Sequence, residues 1–397
     1  MNNIVTTNLT GLEKRHLPPA QKGEKLRVLS LSPIGFGFKN YFDNLVKYTE
    51  ARDDIEAVHI RLVQPKWTKL FTGAVPGLRR KKLDQHAYRY GQYWRWVLNK
   101  WFNGPLPLKH FDVVHIITAE CSRIIPDISK KTDTVFAVNI DLTVPLRVRE
   151  FGEWPLPLVI DKKSENRVFN AADLIVCRNE FCAQSPVSDY GVSPEKIVIA
   201  RNSIEFPSAP LKNKSKKNDG SLLKLAFVGN SWKRKRGDMA LKVHQKFFSD
   251  VAELHIFSSE ALVDHTKRNV VWHRHVPRVD LLEKWLPEMD IFVLPSRNEG
   301  LAWALLEAAS LGLPIVTTNL PGSAEVVSHE KSGLLVPVGD EDKFRSAIQR
   351  LIDDSDLRCS MGREAQQKIR NKFNIETQFG FLFERIEKLR RDSGYRP

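Results

Sequence analysis

FVLPSRNEGLAWALLEAASLGLPIVTT, residues 292–318, reads as a strand, a short loop, a helix and a second strand. The apolar run ends at Pro295, the loop reaches Glu299-Gly300, and the helical pattern continues to about Leu311. A helix that begins above the carboxyl end of a strand offers N–H groups and a positive dipole end to an anion, and Gly300 lets a pyrophosphate approach the backbone. Glu299 and Glu307 are eight residues apart, about 12 Å at helical rise. Two carboxylates at that spacing would accept hydroxyl hydrogen bonds at both ends of one ligand. The plainer alternative makes Glu299 a helix-start acid and Glu307 a solvated helix residue. Ala304-Leu305-Leu306 and Ala308-Ala309 around Glu307 make a poor setting for a carboxylate that serves only solvent.

Working outward, short apolar runs alternate with helical patterns: LRVLSLS (26–32), DVVHII (112–117), TVFAVNI (134–140) and DLIVC (173–177), then LKLAFVG (223–229), ELHIF (253–257), DIFVLP (290–295) and PIVTT (314–318). Continuous apolar strands separated by helices predict parallel sheets buried on both faces. The Pro-, Lys- and Ser-rich stretch 207–222 divides the two series and reads as a linker. The expected architecture is α/β, with two doubly wound Rossmann-like domains facing across a cleft. The boundaries are a polar tail at 1–24, an N-terminal domain at 25–206, the linker at 207–222, a C-terminal domain at 223–374, and a final helical segment, 375–397, expected to return to the first domain.

At 397 residues the chain is long enough for two or three domains, and its 42% apolar and 27% charged content excludes disorder, collagen and coiled coil as the main architecture. The longest weakly polar stretch, Ala304 to Val316, contains Glu307 and Ser310, so no transmembrane helix is expected. Glu13, Lys14, Arg15 and His16 stand where a secretory signal needs an apolar core, so a cytoplasmic location is expected. Cys121, Cys177, Cys182 and Cys359 lack metal-type pairing and read as reduced thiols. His273, His275, Asp340 and Asp342 form no recognisable ligand set, so no metal and no resident cofactor are expected.

The segment NEGLAWALLEAASLGLPIVTTNLPGSAEVV followed by SGLLVPVGD resembles the donor-site signature of retaining glycosyltransferases of family 4, which have the GT-B fold. The match is close over about 50 residues; a looser likeness extends to FVGN, to VSPEKIVIARNSIE and to the glycine turn at 35–37. The resemblance implies a metal-independent hexosyl transfer from a nucleotide-diphosphate sugar to a hydroxyl of a saccharide or lipid-linked acceptor, in polysaccharide or glycolipid assembly. It implies that Glu299 lies by the donor sugar, that Glu307 bonds the ribose, and that the amides after Gly300, on Leu301 and Ala302, cap the distal phosphate.

The family places an Arg after the VG of its second signature and a Lys before the next Gly. Here VGNSWKRKRG puts Asn230 in the Arg position and leaves Arg234, Lys235 and Arg236 as rival partners for the diphosphate. Gly35 and Gly37 follow the first strand where the family has a glycine loop near the transferred sugar. Asn40 replaces the third glycine of a dinucleotide fingerprint, which disfavours a nicotinamide site. In VNIDLTVP, Ile140 stands where many relatives carry His before Asp, and Asp141 becomes a candidate acceptor-side or base residue. His115 reads as a strand histidine.

Between Lys66 and His110, ten Lys or Arg stand against one acid, Asp84, and four of the nine tryptophans fall here. Tyr90, Trp94, Val97, Leu98 and Trp101 share one helical face, and Arg79, Arg80, Lys81 and Lys82 precede it. This reads as a basic aromatic segment for an anionic membrane surface, on the cytoplasmic face of the inner membrane, with Trp94 and Trp101 at the interface. No nucleic-acid motif accompanies the charge. The competing readings are a nucleotide-sugar epimerase or phosphorylase, and a non-catalytic membrane or nucleic-acid adaptor that keeps a decayed site.

Overall fold

The computed structural model describes residues 4–7, 25–75, 84–152, 155–206, 221–260, 264 and 266–392. Two compact units divide the chain: residues 1–203 together with 375–397, and residues 204–374. The expected linker is described only at Ser221 and Leu222.

In the first unit β1 (Ile4–Thr7), β2 (Leu26–Pro33), β3 (Ile55–Leu62), β4 (Val113–Ile117), β5 (Val135–Ile140), β6 (Leu174–Cys177) and β7 (Ile197–Ile199) form one sheet in the order β1-β3-β2-β4-β5-β6-β7. Every pairing is parallel. All eight residues of β2 are buried, as a strand covered by helices on both faces requires. Ile4–Thr7, within the stretch read as a polar tail, adds an edge strand beside β3.

The helices of this unit include α1 (Phe36–Glu50), α2 (Lys69–Thr72) and α3 (His86–Phe102). Along α3, Trp94, Val97, Leu98, Trp101 and Phe102 are buried in the core with Val58, Ile60 and Ile116. The expected membrane role of Trp94 and Trp101 is therefore overturned. Their helical spacing places them on the stripe that covers the protein's own sheet, which is what an apolar stripe on a domain helix usually does. Arg79, Arg80, Lys81 and Lys82 lie outside the described residues.

In the second unit β8 (Leu223–Val228), β9 (Ala252–Phe257), β10 (Val270–His273), β11 (Ile291–Leu294), β12 (Ile315–Thr318) and β13 (Gly333–Val336) are again all parallel, in the order β10-β9-β8-β11-β12-β13. The winding runs one way from β8 to β10 and then reverses at β11. Such a reversal leaves a crevice above the carboxyl ends of β8 and β11, because their connections leave in opposite directions. The helices that begin above it are α4 (Trp232–Lys235), α5 (Gly237–Phe247) and α6 (Trp303–Ser310).

Helix α7 (Ile375–Asp392) belongs to the first unit and buries Phe379, Leu382, Phe383 and Ile386. Phe379 meets the Tyr41 and Tyr48 rings at 5.2 and 5.7 Å, and Phe383 stacks on Tyr48 at 5.2 Å. Gln378 accepts the Arg201 backbone N–H at 2.8 Å through its side-chain oxygen. No described helix is long and apolar enough to cross a membrane.

Candidate functional site

The crevice of the second unit collects most of the residues singled out in the sequence. Two segments form its walls, 229–236 after β8, which includes α4, and 295–302 after β11, and they are tied together: Arg297 N–H donates to the Arg234 carbonyl at 2.8 Å, and Arg234 Nη1 donates to the Asn298 carbonyl at 2.8 Å. On Glu299, Arg234 Nη1 lies 2.9 Å and Lys235 Nζ 3.8 Å from Oε1, and the Ser296 hydroxyl donates to the same oxygen at 3.0 Å. The Lys235 stem crosses Gly229 so closely that a Cβ there would collide with it, which explains a glycine at that position.

Of the three rival cations, Arg234 and Lys235 reach the site. Arg236 does not: its backbone takes the left-handed conformation, φ 56°, between α4 and α5, and its Nε lies 3.3 Å from Asp238. Asn230, which stands at the family's Arg position, holds a neighbouring turn by accepting from the N–H and the hydroxyl of Ser259, both at 3.0 Å.

The helix after Gly300 starts later than its sequence pattern suggests. Ala302 is the N-cap, with extended backbone at φ −69° and ψ 117°, and α6 runs from Trp303. Gly300, Leu301 and Glu299 therefore belong to the loop, and only Glu307 projects from the helix. The Gly300 carbonyl packs directly on Gly322, where any Cβ would overlap it. Gly322 thus fixes the height of the loop.

Glu307 is 5% exposed and has a partner the sequence did not reveal, Arg278, whose Nε lies 2.6 Å from Oε1. Burial pushes the Glu307 carboxyl above the usual carboxylate range, and the charge and hydrogen bond of Arg278, then the charge of Lys235, oppose that rise. Lys235 therefore acts on both glutamates. Arg278 follows β10 in HVPR, and nothing in its local sequence marks it, because the pairing is made across the sheet.

The first unit has its own reversal, between β2 and β4. Gly35 caps α1 with an extended backbone, and Gly37 lies in its first turn, where a Cβ would meet nothing within 4 Å. The Gly37 carbonyl accepts from Nη1 of Arg178 at 3.0 Å, and Arg178 is buried between the Phe38 and Tyr41 rings, each 4.9 Å away. His115 is buried in β4 and meets Tyr41 edge to face. Asp141, just past β5, lines a cavity of about 150 Å³ with Thr118, Glu120, Arg147 and Glu165. Thr118 has φ 84°, a costly conformation for a β-branched residue. Glu165 bonds the Tyr190 hydroxyl and accepts the Val144 N–H at 2.9 Å, and burial pushes its carboxyl up to about 7.

Comparison with known proteins follows the same outline. Residues 223–354, the greater part of the second unit, match the family described as Glycosyl transferases group 1. Among curated relatives, the UDP-Gal:alpha-D-GlcNAc-diphosphoundecaprenol alpha-1,3-galactosyltransferase of Escherichia coli is 29% identical over 219 residues, 51% of this chain and 56% of the relative. The D-inositol 3-phosphate glycosyltransferase of Paenarthrobacter aurescens is 27% identical over 237 residues, 55% of this chain and 58% of the relative. The chain thus spans somewhat over half the length of these relatives. Sucrose-phosphate synthase from Thermosynechococcus elongatus superposes with a TM-score of 0.67 over 92% of this chain and 100% of that one, at 14% identity. That likeness is one of fold, the GT-B pair of Rossmann-like domains.

Proposed function

We propose that the chain is a glycosyltransferase that moves a hexosyl group from a nucleotide-diphosphate sugar to a hydroxyl of a saccharide or lipid-linked acceptor, in polysaccharide or glycolipid assembly. The observation that carries the reading is the convergence of Arg234 and Lys235 on Glu299, with buried Glu307 beside them, at the winding reversal of the second unit. The names of the relatives, one of which takes UDP-galactose and a diphosphoundecaprenol-linked acceptor, favour the same chemistry.

In the unliganded chain Glu299 occupies the two cations. A diphosphate competes for them: Arg234 offers a planar fork to phosphate oxygens and Lys235 a compact charge. Their release frees Glu299 to accept hydroxyl hydrogen bonds from the donor sugar. Glu307 accepts from the ribose, and Arg278, paired with it at 2.6 Å, opposes the rise in its pKa that burial causes. The Leu301 and Ala302 backbone and the first turn of α6 face the distal phosphate. As the sugar–phosphate bond breaks, negative charge grows on the diphosphate, and cations already held in place stabilise it without reorganisation. Within the first unit, the cavity lined by Asp141 is the candidate pocket for the acceptor hydroxyl.

Retention of anomeric configuration and independence of metal are part of the proposal through the family-4 resemblance. The test is incubation with UDP-, GDP-, ADP- and CDP-sugars and a panel of saccharide and polyprenyl-diphosphate acceptors, with and without chelator, with products read by mass spectrometry and anomer by NMR. Transfer to acceptor from one donor supports the reading. Nucleotide sugar altered without acceptor points to an epimerase, and no nucleotide binding at all points to an adaptor.

A further inference from the structure

A short segment of the first unit is built inside out. The turn Lys66–Thr68 and α2 bury Thr68 and Thr72, while Trp67, Leu70 and Phe71 stand 70, 82 and 65% exposed. Positions i, i+3 and i+4 share a helical face, so the three apolar side chains form one outward stripe. On a domain helix the apolar stripe is expected to face the core, and here the hydroxyls do. Thr68 Oγ1 donates to the Pro65 carbonyl at 2.7 Å, Thr72 Oγ1 to the Thr68 carbonyl at 3.1 Å, and Gln64 bonds the Thr72 hydroxyl.

The orientation is held from below. Arg89 of α3 donates through Nε to the Phe71 carbonyl at 2.9 Å and through Nη2 to the Gly73 carbonyl at 2.7 Å, and it pairs with buried Asp84 at 2.9 Å. Tyr93 bonds Thr68, and its ring lies 6.5 Å from Trp96, which is 54% exposed with the Lys100 ammonium 4.0 Å over it. The backbone polar groups are thus satisfied on the protein side, and the outward side carries large apolar groups edged by cations.

We propose that this stripe, Trp67, Leu70 and Phe71 with Trp96 beside it, is the surface by which the protein inserts into an anionic lipid bilayer. Charge complementarity selects that occupant. Lys66 and Lys69 lie on the same segment, and Lys100 lies on the adjoining helix. A purely apolar protein partner would leave those cations unmatched, whereas anionic headgroups meet them as the tryptophans and leucine enter the acyl boundary. The inference does not rest on the proposed reaction.

The test is flotation of the full-length protein with vesicles of phosphatidylcholine alone and with phosphatidylglycerol added. The expected result is binding to the anionic vesicles that falls as salt rises, and a loss of at least about tenfold in the Trp67→Ser/Leu70→Ser/Phe71→Ser variant, since three apolar side chains no longer leave water. The substituted positions are exposed, so the fold is expected to survive, as an unchanged Tm of the same variant reports. Phe381→Ser, an exposed phenylalanine of α7, is the control and should bind normally. Lys66→Glu/Lys69→Glu should weaken binding to anionic vesicles and leave any residual binding to phosphatidylcholine alone unchanged. Equal binding by wild type and triple variant overturns the proposal. So does a lipid-free dimer of the wild type that the triple variant dissociates, which assigns the stripe to a second copy.

Discussion

Replacing Glu307 by glutamine is expected to stabilise the nucleotide-free protein and at the same time to remove most of its response to nucleotide. The carboxylate is buried, and the guanidinium that meets it is 45% exposed, so the pair recovers only part of the cost of desolvation. Glutamine keeps the volume, and its carbonyl can accept from Arg278 Nε, but no buried charge remains. A gain of about 1 kcal/mol follows, or roughly 2–4 °C in Tm for a unit of this size. At a nucleoside diphosphate concentration near a hundred times its Kd, the wild type gains about 2.7 kcal/mol by mass action. Loss of a hydrogen bond to a charged acceptor, about 1.5–3 kcal/mol, lowers that gain to roughly 0.3–1.3 kcal/mol at the same concentration. Scanning fluorimetry with UDP, GDP, ADP and CDP on both proteins measures both effects. A variant that loses more than about 2 kcal/mol shows that the carboxylate is structural, and an undiminished nucleotide shift shows that it does not touch the ribose; either result refutes the reasoning.

Arg278→Ala removes the group that opposes the rise of the Glu307 pKa, so nucleotide affinity should fall on acidification more steeply than in the wild type; calorimetric titration across pH checks this, and parallel profiles count against it. Arg234→Ala should weaken nucleotide binding by about tenfold or more and Arg236→Ala by little, since only the first is directed at the site. Gly322→Ala drives a methyl into the Gly300 carbonyl and should cost about 1–3 kcal/mol together with the nucleotide response, read by thermal shift. Glu165 titrates near 7 when folded and near 4.5 when unfolded, so the folded state holds its proton more tightly. Its contribution is fully present below the unfolded value and is lost as pH rises through 7, about 3 kcal/mol in all. The Tm of Glu165→Gln should therefore decline less between acid and neutral pH than that of the wild type.

The strands that emerged from the sequence are those with continuous apolar runs at the centre of each sheet. Ile55–Leu62 escaped because Glu56, His59 and Arg61 interrupt its run. Glu307 was legible because an acid within Ala-Leu-Leu and Ala-Ala is conspicuous. Arg278 was not, since its meaning arises only when β10 is laid beside the rest of the sheet. Among Arg234, Lys235 and Arg236 the choice depends on one backbone turn at Arg236, a three-dimensional fact with no local signature. The Trp94 and Trp101 stripe was legible as a stripe, but periodicity does not say which side faces the core. The same limit hid the inverted segment at Lys66–Thr72, which is too short to declare a period.

Helix α7 completes the first unit only after the whole of the second has been made. On a ribosome, the aromatic seat formed by Tyr41 and Tyr48 waits, uncovered, through the synthesis of residues 204–374 before Phe379 and Phe383 arrive to fill it. The second unit, continuous in sequence, is free to fold first, contrary to the usual N-to-C order. A chain released prematurely anywhere in that interval leaves an apolar groove open to chaperones and proteases. Synthesis of α7 therefore decides the stability of a unit whose other elements were all made before the second unit began.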